Sequence, residues 1–153
     1  MRIQAFLRQS PLFEVSRASR QFDRHMARIF ETGELTLLEA LVLAAAFFED
    51  PKPVRPSQLA ETFSTTRGNV SHCVSSLEAK GFLERRIDPG DARSFQLQLQ
   101  PRGKKIAMGV IRTMDRMQKE FEKAIGAAAL AAALEVVQRV ERMCAERATS
   151  NRA

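Results

Sequence analysis

The stretch of sequence that decides the fold runs from residue 57 to residue 100 and is SQLAETFSTTRGNVSHCVSSLEAKGFLERRIDPGDARSFQLQLQ. Its first part, Ser57 to Phe63, has the apolar spacing of a short amphipathic helix. After a polar turn, a second helix is predicted from Arg67 to Lys80, because Thr66 can act as its N-cap and Gly81 can end it. The apolar residues of this second helix are three and four positions apart: Val70, Cys73, Val74 and Leu77.

A strand, a turn and a second strand follow these helices. Asp88-Pro89-Gly90-Asp91 has the residue types of a tight turn. From Phe95 to Gln100 apolar residues alternate with glutamines, which predicts a strand with one buried and one solvent-exposed face. The order of elements is thus two short helices followed by a hairpin with Arg93 near its tip. This is the order found in a winged helix-turn-helix, whose second helix fits the major groove of DNA.

Long helices are predicted on both sides of this module. A helix is expected from Pro11 to about Gly33, and another from the capping box Thr36-Leu37-Leu38-Glu39 to Asp50, before Pro51. After Pro101 the apolar pattern is helical again, with a break at Gly126. We therefore expect a mainly α protein with a small β-hairpin wing (α+β). Residues 1–34 would be an N-terminal dimerisation helix, residues 35–103 a winged helix-turn-helix DNA-binding domain, and residues 104–153 C-terminal dimerisation helices.

The terminal helices carry apolar stripes that a minimal winged module has no room to bury. The side chains concerned include Leu12, Val15, Val110, Met114, Leu134 and Val137. An intertwined homodimer would remove them from water, and this is the expected assembly. The alternative is a larger monomer in which these helices fold back on their own module.

The composition favours a polyanionic partner for the module. Between residues 52 and 105 there are ten Lys and Arg residues against five acidic ones, so most of the formal charge of +6 lies there. A solvated basic surface is the alternative. Cys73 and Cys144 have no metal-binding or disulfide-scaffold spacing, so no metal or other cofactor is expected. Without a signal-like start or a membrane-length apolar run, we expect a cytoplasmic protein with no membrane contact.

The second helix of the module has a face made only of short or polar side chains. They are Arg67, Gly68, Asn69, Ser71, His72 and Ser75, opposite the apolar stripe. Residues of these types can pair with base edges and phosphates, and a glycine would let the backbone approach DNA closely. An ordinary solvated helix face is the alternative interpretation.

The hairpin adds a candidate minor-groove contact. An arginine at a wing tip can enter the narrow minor groove, where negative potential is focused, so Arg93 is the candidate. Asp91 could fix the direction of Arg93, or the two could form only an exposed ion pair of little energetic value.

These motifs together resemble the MarR family of bacterial transcriptional regulators, over roughly residues 36 to 105. The resemblance is carried by Gln58-Leu59-Ala60-Glu61, Thr66-Arg67-Gly68-Asn69-Val70-Ser71, Leu77-Glu78-Ala79-Lys80-Gly81-Phe82-Leu83-Glu84-Arg85-Arg86 and Asp88-Pro89-Gly90-Asp91-Ala92-Arg93-Ser94. It implies DNA contacts from Thr66, Arg67, Asn69, Ser71, His72 and Arg93. The polar helix face and the wing turn add Gly68, Ser75, Asp91 and Ser94 to the candidate DNA-binding residues. Two positions depart from the family pattern: Ser64 stands where the turn usually has glycine, and His72 where a longer basic residue is common.

The resemblance also implies a possible effector, since such proteins often release DNA when a small aromatic ligand binds near the dimerisation helices. By position, the candidate ligand-binding residues are Phe22, His25, Met26, Phe47 and Phe48. Core packing is the alternative for each phenylalanine, and an ordinary surface position is the alternative for His25. Cys73 is expected to pack as a small apolar residue, although its oxidation could disturb the helix.

Three classes of function differ in how well they fit these residues. The expected one is a homodimeric, sequence-specific DNA-binding regulator, a ligand-responsive repressor on a pseudo-palindromic operator. A winged-helix module for protein interaction alone would leave Arg93 and the short polar helix face unexplained. An enzyme is not expected, because the sequence has no catalytic histidine pair, metal spacing, phosphate-binding glycine loop or nucleophile with an evident base.

Overall fold

The computed structural model describes residues 2–31 and 34–150 of the chain. Within them the protein forms seven α-helices and one two-stranded antiparallel sheet. In chain order the elements are α1 (Arg2–Arg8), α2 (Pro11–Glu31), α3 (Leu37–Glu49), α4 (Pro56–Thr62), α5 (Arg67–Ala79), β1 (Leu83–Asp88), β2 (Asp91–Leu99), α6 (Pro101–Ile125) and α7 (Ala127–Ser150). The expected mainly α fold with a β-hairpin wing is confirmed. The expected end of the first long helix, Thr32-Gly33, lies outside the described residues.

The chain divides into two compact units. One comprises Met1–Ser19 with Met114–Ala153, and the other comprises Arg20–Thr113. The second unit, here called the winged unit, contains α3, α4, α5 and both strands, together with the last part of α2 and the first part of α6. α2 and α6 each continue into the winged unit, where Met26, Phe30, Ala107 and Val110 are buried.

The core of the winged unit is built from the apolar faces of its helices and its sheet. The largest fully buried side chains are Val42, Leu43, Val70, Val74, Leu77 and Leu97. The capping box at the start of α3 forms as expected: the backbone N–H of Glu39 donates to Thr36 Oγ1 at 3.2 Å, and Thr36 N–H donates to Glu39 Oε2 at 2.7 Å. The side chains of Thr36 and Glu39 therefore accept hydrogen bonds from two backbone N–H groups at the start of α3.

The turn between α4 and α5 contains a residue in the left-handed region. Ser64 has φ +49°, and its backbone N–H donates to the carbonyl of Glu61 at 3.1 Å. Only glycine adopts this region without a steric cost from its side chain. The structure thus explains why glycine suits this turn position.

The wing is an antiparallel hairpin in which Arg85 faces Leu97 and Ile87 faces Phe95, with a bulge between Ile87 and Asp88. β2 begins at Asp91, earlier than the sequence alternation indicated, and ends at Leu99. The expectation that Phe95 shares a buried face with Leu97 and Leu99 is wrong, because its side chain is 48% exposed. Phe95 lies nearer the tip, where its cross-strand partner Ile87 is exposed as well.

The first residues of α6 run close to the wing. Gly103 is buried, and a Cβ built on it would lie 2.1 Å from the carbonyl oxygen of Phe82. The same carbonyl accepts a 3.0 Å hydrogen bond from the backbone N–H of Gln100. Glycine is therefore the residue that this helix contact can accommodate.

The other unit consists of α1, the first part of α2, the last part of α6 and α7. Sequence reasoning did not predict α1. In the single chain this unit exposes many large apolar side chains: Ile3, Phe6, Leu12, Val15, Phe121, Ile125, Leu134, Val136, Val137 and Met143. Val110, which was grouped with these stripes, is instead buried in the winged unit, and Met114 is half-buried. Among the described residues, no helix combines the length and the apolarity needed to span a membrane.

Candidate nucleic-acid interface

The candidate DNA-facing side of α5 is exposed to solvent. Its exposed residues are Arg67, Gly68, Asn69, Ser71, His72 and Ser75, while Val70, Cys73, Val74 and Leu77 are buried on the opposite side. Thr66 is the N-cap, and its hydroxyl oxygen accepts a 3.1 Å hydrogen bond from the backbone N–H of Asn69. The helix entrance is thus fixed by a local cap, which leaves one complete polar face toward solvent.

The terminal carboxamide of Asn69 is held by one hydrogen bond. Its Nδ2 donates to Thr65 Oγ1 at 3.1 Å. A carboxamide has a second amide hydrogen and a carbonyl oxygen, which together match the edge of adenine in the major groove. The contact with Thr65 is therefore compatible with base recognition by Asn69 and limits its rotamers.

Gly68 is not required by the fold of the chain itself. A Cβ built at this exposed position would meet only Thr66 Oγ1, at the ordinary contact distance of 3.8 Å. Glycine lowers the stability of a helix by about 1 kcal/mol relative to alanine. No contact around Gly68 requires glycine here, and its small size is compatible with close approach of a DNA backbone to α5.

Ser75 has a different environment from the rest of the face. Its hydroxyl donates to the carbonyl of Ser71 at 3.0 Å and accepts a hydrogen bond from Arg85 Nη2 at 2.9 Å. The hydroxyl is therefore engaged within the protein, whereas sequence reasoning assigned it to DNA. Arg85 lies on β1, so this contact joins α5 to the wing.

At the wing tip, Asp91 organises the backbone rather than the arginine side chain. Asp91 Oδ1 accepts a 3.0 Å hydrogen bond from the backbone N–H of Arg93, and Oδ2 accepts one from the Ser94 hydroxyl. These hydrogen bonds, first from Ser94 and then from Arg93, lower the pKa of Asp91. Neither expected role of Asp91, orienting or pairing with the Arg93 guanidinium, occurs among the described contacts. Arg93 itself is exposed.

The base of the turn is anchored by a second carboxylate that sequence reasoning did not single out. Asp88 is 4% exposed, and its Oδ1 accepts a 2.9 Å hydrogen bond from Gly90 N–H. Arg55, at the start of α4, donates from Nε to Asp88 Oδ2 at 2.8 Å. The Gly90 hydrogen bond and, after it, those from Gln96 and Arg55 hold the pKa of Asp88 below its usual value despite burial. Arg55 and Asp88 thereby attach the wing to the helical part of the unit.

Arg85 is the most connected residue between α5 and the wing. Its backbone N–H donates to Glu78 Oε1 at 2.9 Å, and its Nη1 lies 3.1 Å from Glu78 Oε2. Its Nη2 donates to Ser71 O and Ser75 Oγ, both at 2.9 Å. Glu78 and Arg85 both lie in the run that carries the family resemblance, but no local periodicity relates a helix residue to a strand residue.

The five candidate effector residues do not share one environment. Met26 is buried and Phe47 is half-buried, whereas Phe22, His25 and Phe48 are exposed. Phe47 and Phe48 contact each other edge to face, with ring centroids 6.3 Å apart. Packing within the single chain therefore does not account for Phe22 or Phe48, which are 47% and 71% exposed.

The winged unit also has an open apolar groove of about 360 Å³. It lies between the end of α2 and the first part of α6 and is lined by Ile29, Phe30, Leu35, Lys105, Ile106, Gly109, Val110, Arg112 and Thr113. None of the five candidate effector residues lines it. Among the described residues, no cluster of His, Cys, Asp and Glu has the arrangement of a metal site.

Cys73 is buried on the inner stripe of α5, as expected for a small apolar residue. Burial, together with the nearby charge of Glu39, raises the pKa of its thiol to about 12. Because the thiolate is the reactive species, this environment argues against the hypothesis that Cys73 responds to oxidants.

The comparisons with known proteins agree with this geometry. The MarR family model matches residues 35–95, which contain α3, α4, α5, β1 and the first part of β2. This segment belongs to the MarR family. No curated protein sequence matches the chain significantly.

Several solved structures share the fold over most of the chain. A structure of MepR from S. aureus in complex with DNA has a TM-score of 0.78 and 14% identity, and the match covers 88% of this chain and 96% of that one. The transcriptional regulator SlyA has a TM-score of 0.75 and 18% identity, with 89% and 94% covered. A mutant of MarR from E. coli complexed with operator DNA has a TM-score of 0.71 and 20% identity, with 82% and 89% covered. At these identities the likeness establishes the fold.

Proposed function

We propose that this chain is a homodimeric, sequence-specific DNA-binding transcription regulator. In this proposal α5 enters the major groove with Arg67, Asn69, Ser71 and His72, and the wing places Arg93 in the adjacent minor groove. The observation that carries the proposal is the exposed polar face of α5, together with the exposed Arg93 on the wing. Two of the structurally similar proteins were solved with DNA, which supports the same use of this fold.

The proposed DNA contacts differ in what they contribute. Arg67 and Arg93 would neutralise phosphate or groove potential, which strengthens binding to any sequence and makes it salt-dependent. Asn69 and His72 would meet base edges and discriminate among sequences. Ser75 is left out of the direct contacts, because its hydroxyl binds Ser71 and Arg85.

The homodimer is supported by the exposed apolar side chains of the terminal unit. Leu12, Ile125, Leu134 and Val136 are between 56% and 63% exposed in the single chain. Burying one such side chain is worth about 1.5 to 3 kcal/mol, so several together favour association strongly. The small side chains between Ala127 and Ala133 would allow a second helix to approach closely.

We further propose that the protein acts in the cytoplasm as a repressor that releases its operator when a small aromatic effector binds. In this proposal the exposed rings of Phe22 and Phe48 and the half-buried Phe47 are the groups that would contact the ligand. His25, exposed on α2, could donate a hydrogen bond to a polar group of such a ligand. Effector binding would act by favouring a form of the dimer with lower DNA affinity.

Selection of bound sequences from a pool of random duplex DNA, followed by footprinting, tests the function. A symmetric dimer should enrich an inverted repeat with half-sites about 10 base pairs apart between their centres. Light scattering on the same preparation should give the mass of two chains. Enrichment of no sequence, with binding to protein partners only, would instead support a winged-helix protein-interaction module, and enrichment of a single half-site by a monomer would contradict the dimer.

A further inference from the structure

The contacts of Arg85 suggest a role that neither the fold nor the proposed DNA contacts assign. Arg85 is on β1, and its guanidinium extends along α5 to the carbonyl of Ser71, the hydroxyl of Ser75 and the carboxylate of Glu78. Ser71 is one of the exposed residues proposed to face DNA. The guanidinium therefore spans from the wing to the DNA-facing part of the helix.

We infer that Arg85 is a positioning residue that holds the wing at a fixed place relative to α5, so that the major-groove and minor-groove contacts form together. The inference rests on the proposed function for its effect on DNA binding. A planar guanidinium suits this role, since its donors point in fixed directions and can bind three acceptors at once.

Three features of the site favour positioning over direct DNA contact. The Arg85 side chain is only 28% exposed, and its guanidinium already binds three protein groups. The backbone N–H of Arg85 is also bound to Glu78, so both the strand and the side chain are attached to α5. Loss of the side chain would leave the wing held by the Arg85 backbone N–H on Glu78, by the Leu97–Val54 hydrogen bond and by the Arg55–Asp88 pair. The substitution therefore removes only the guanidinium contacts to α5.

The neighbouring arginine provides a matched control. Arg86 is on the same strand but is 59% exposed, and its ion pair is with Glu84 of the same wing. Removal of Arg86 takes away the same charge without breaking a contact to α5. A difference between Arg85→Ala and Arg86→Ala therefore reports the contact and not the charge.

The test is a double-mutant cycle between Arg85→Ala and Arg93→Ala, using the duplex enriched from the random pool as the probe. If Arg85 positions the wing, Arg93→Ala should cost much less affinity in the Arg85→Ala protein than in the wild type, with a deviation from additivity of about five-fold or more. The cycle with Arg86→Ala should be additive. Additive effects in both cycles would overturn the inference.

Two further readouts distinguish positioning from a phosphate contact. Arg93→Ala should reduce the salt dependence of binding by about one unit of slope, whereas Arg85→Ala should leave the slope unchanged. Arg85→Lys should resemble Arg85→Ala, because a lysine keeps the charge but lacks the fork of donors. Full affinity in Arg85→Lys, or a reduced slope in Arg85→Ala, would contradict the inference.

Hydrogen exchange in the protein without DNA tests the same contact when no duplex is bound. Arg85→Ala should speed exchange of amides in β1 and β2 relative to wild type and to Arg86→Ala, while the core helix α3 keeps its protection. Unchanged exchange in the wing would overturn the inference. If the wild type binds no DNA and exchange still rises, the proposed function is wrong and the positioning of the wing stands.

Discussion

Lys80, at the end of α5, donates a 2.8 Å hydrogen bond from Nζ to Oε1 of Glu39, in the first turn of α3. Glu39 is 3% exposed, and its other carboxylate oxygen caps the α3 entrance through Thr36. The same ammonium group binds the carbonyl of Glu34 at 2.7 Å. Lys80 therefore binds both the buried Glu39 carboxylate and the backbone just before α3. These contacts fix the end of α5, the proposed DNA-contacting helix, against the start of α3.

Breaking the Glu39–Lys80 pair should destabilise the protein near neutral pH. Lys80→Met leaves the buried carboxylate without its cation, and we expect it to lower the free energy of unfolding by about 2 kcal/mol, less than for a fully buried pair because Lys80 is 27% exposed. Lys104→Met is the control, since it breaks an ion pair with Asp50 in which both side chains are more exposed, and it should cost at most about 1 kcal/mol. Urea unfolding at fixed protein concentration measures both, and equal losses would contradict the expectation.

The Glu39–Lys80 pair also predicts how the difference in stability between wild type and Lys80→Met depends on pH. Burial alone would raise the pKa of Glu39, but hydrogen bonds from Lys80, Ser76 and Thr36 outweigh burial and lower it below 4.5. Its stabilising contribution is complete above that value and is lost as pH falls through the lower folded-state pKa. Lys80→Met removes a lowering interaction, so the folded variant binds a proton more readily. The stability gap between wild type and variant should therefore narrow below about pH 4.5.

Two glycines of α6 should respond oppositely to the same substitution. Gly103→Ala places a Cβ 2.1 Å from the Phe82 carbonyl oxygen, so the helix or wing must shift, at a cost of about 1 to 3 kcal/mol. At Gly109 no atom lies within 4 Å of a built Cβ, and alanine should stabilise the helix by about 0.5 to 1 kcal/mol. Denaturant unfolding of both variants checks the contact. A Gly103→Ala protein as stable as Gly109→Ala would show that α6 does not approach Phe82 this closely.

Cys73 should be inert in the folded protein. Its burial and the pKa of about 12 keep the thiol protonated at neutral pH. In a Cys144→Ser variant, which retains Cys73 alone, a thiol-reactive disulfide reagent should react only after urea unfolds the protein. Peroxide treatment should leave DNA affinity unchanged, and rapid reaction of native Cys73 would restore the oxidation hypothesis.

The features that could be predicted from the sequence are those set by neighbouring residues. Thr36 with Glu39, Thr66, Pro101 and Gly126 each fix a helix end through contacts within one turn, and these ends lie where they were expected. Short-range alternation likewise predicted the second strand of the wing. Local signals thus account for most helices and for the winged helix-turn-helix order.

The features that could not be predicted depend on contacts between residues that are far apart in the sequence, or on how far the hydrophobic core extends under a strand. From the helix pattern alone the hydroxyl of Ser75 is available for DNA, but in the structure it accepts a hydrogen bond from Arg85 of β1. Alternation assigned Phe95 to the buried face, but the strand extends past the core at that point. Asp88 reaches Arg55 across 33 positions, and no pattern in the turn itself indicates that partner.

Arg93 and Asn69 should make different kinds of contribution to DNA binding. Arg93→Ala should weaken binding across all sequences while preference among major-groove base changes persists. Asn69→Ala should cost about 1 to 3 kcal/mol on the selected duplex and relax discrimination at one base position. Both residues are exposed, so both variants should keep wild-type stability. Titration of the selected duplex and its single-base variants at constant salt decides, and unchanged affinity in both folded variants would exclude the proposed groove assignments.

Gly68 allows stability and DNA affinity to be separated at a single position. The space around it accepts a methyl group, so Gly68→Ala should raise the free energy of unfolding by about 0.5 to 1 kcal/mol. If the glycine permits close approach of DNA to α5, the same substitution should lower affinity for the selected duplex, because the added Cβ occupies the contact surface. Gly109→Ala, on α6 and away from this face, should give a similar gain in stability with unchanged affinity. A Gly68→Ala protein that is more stable and binds DNA as well as Gly109→Ala would show that DNA does not come close to the backbone at this position.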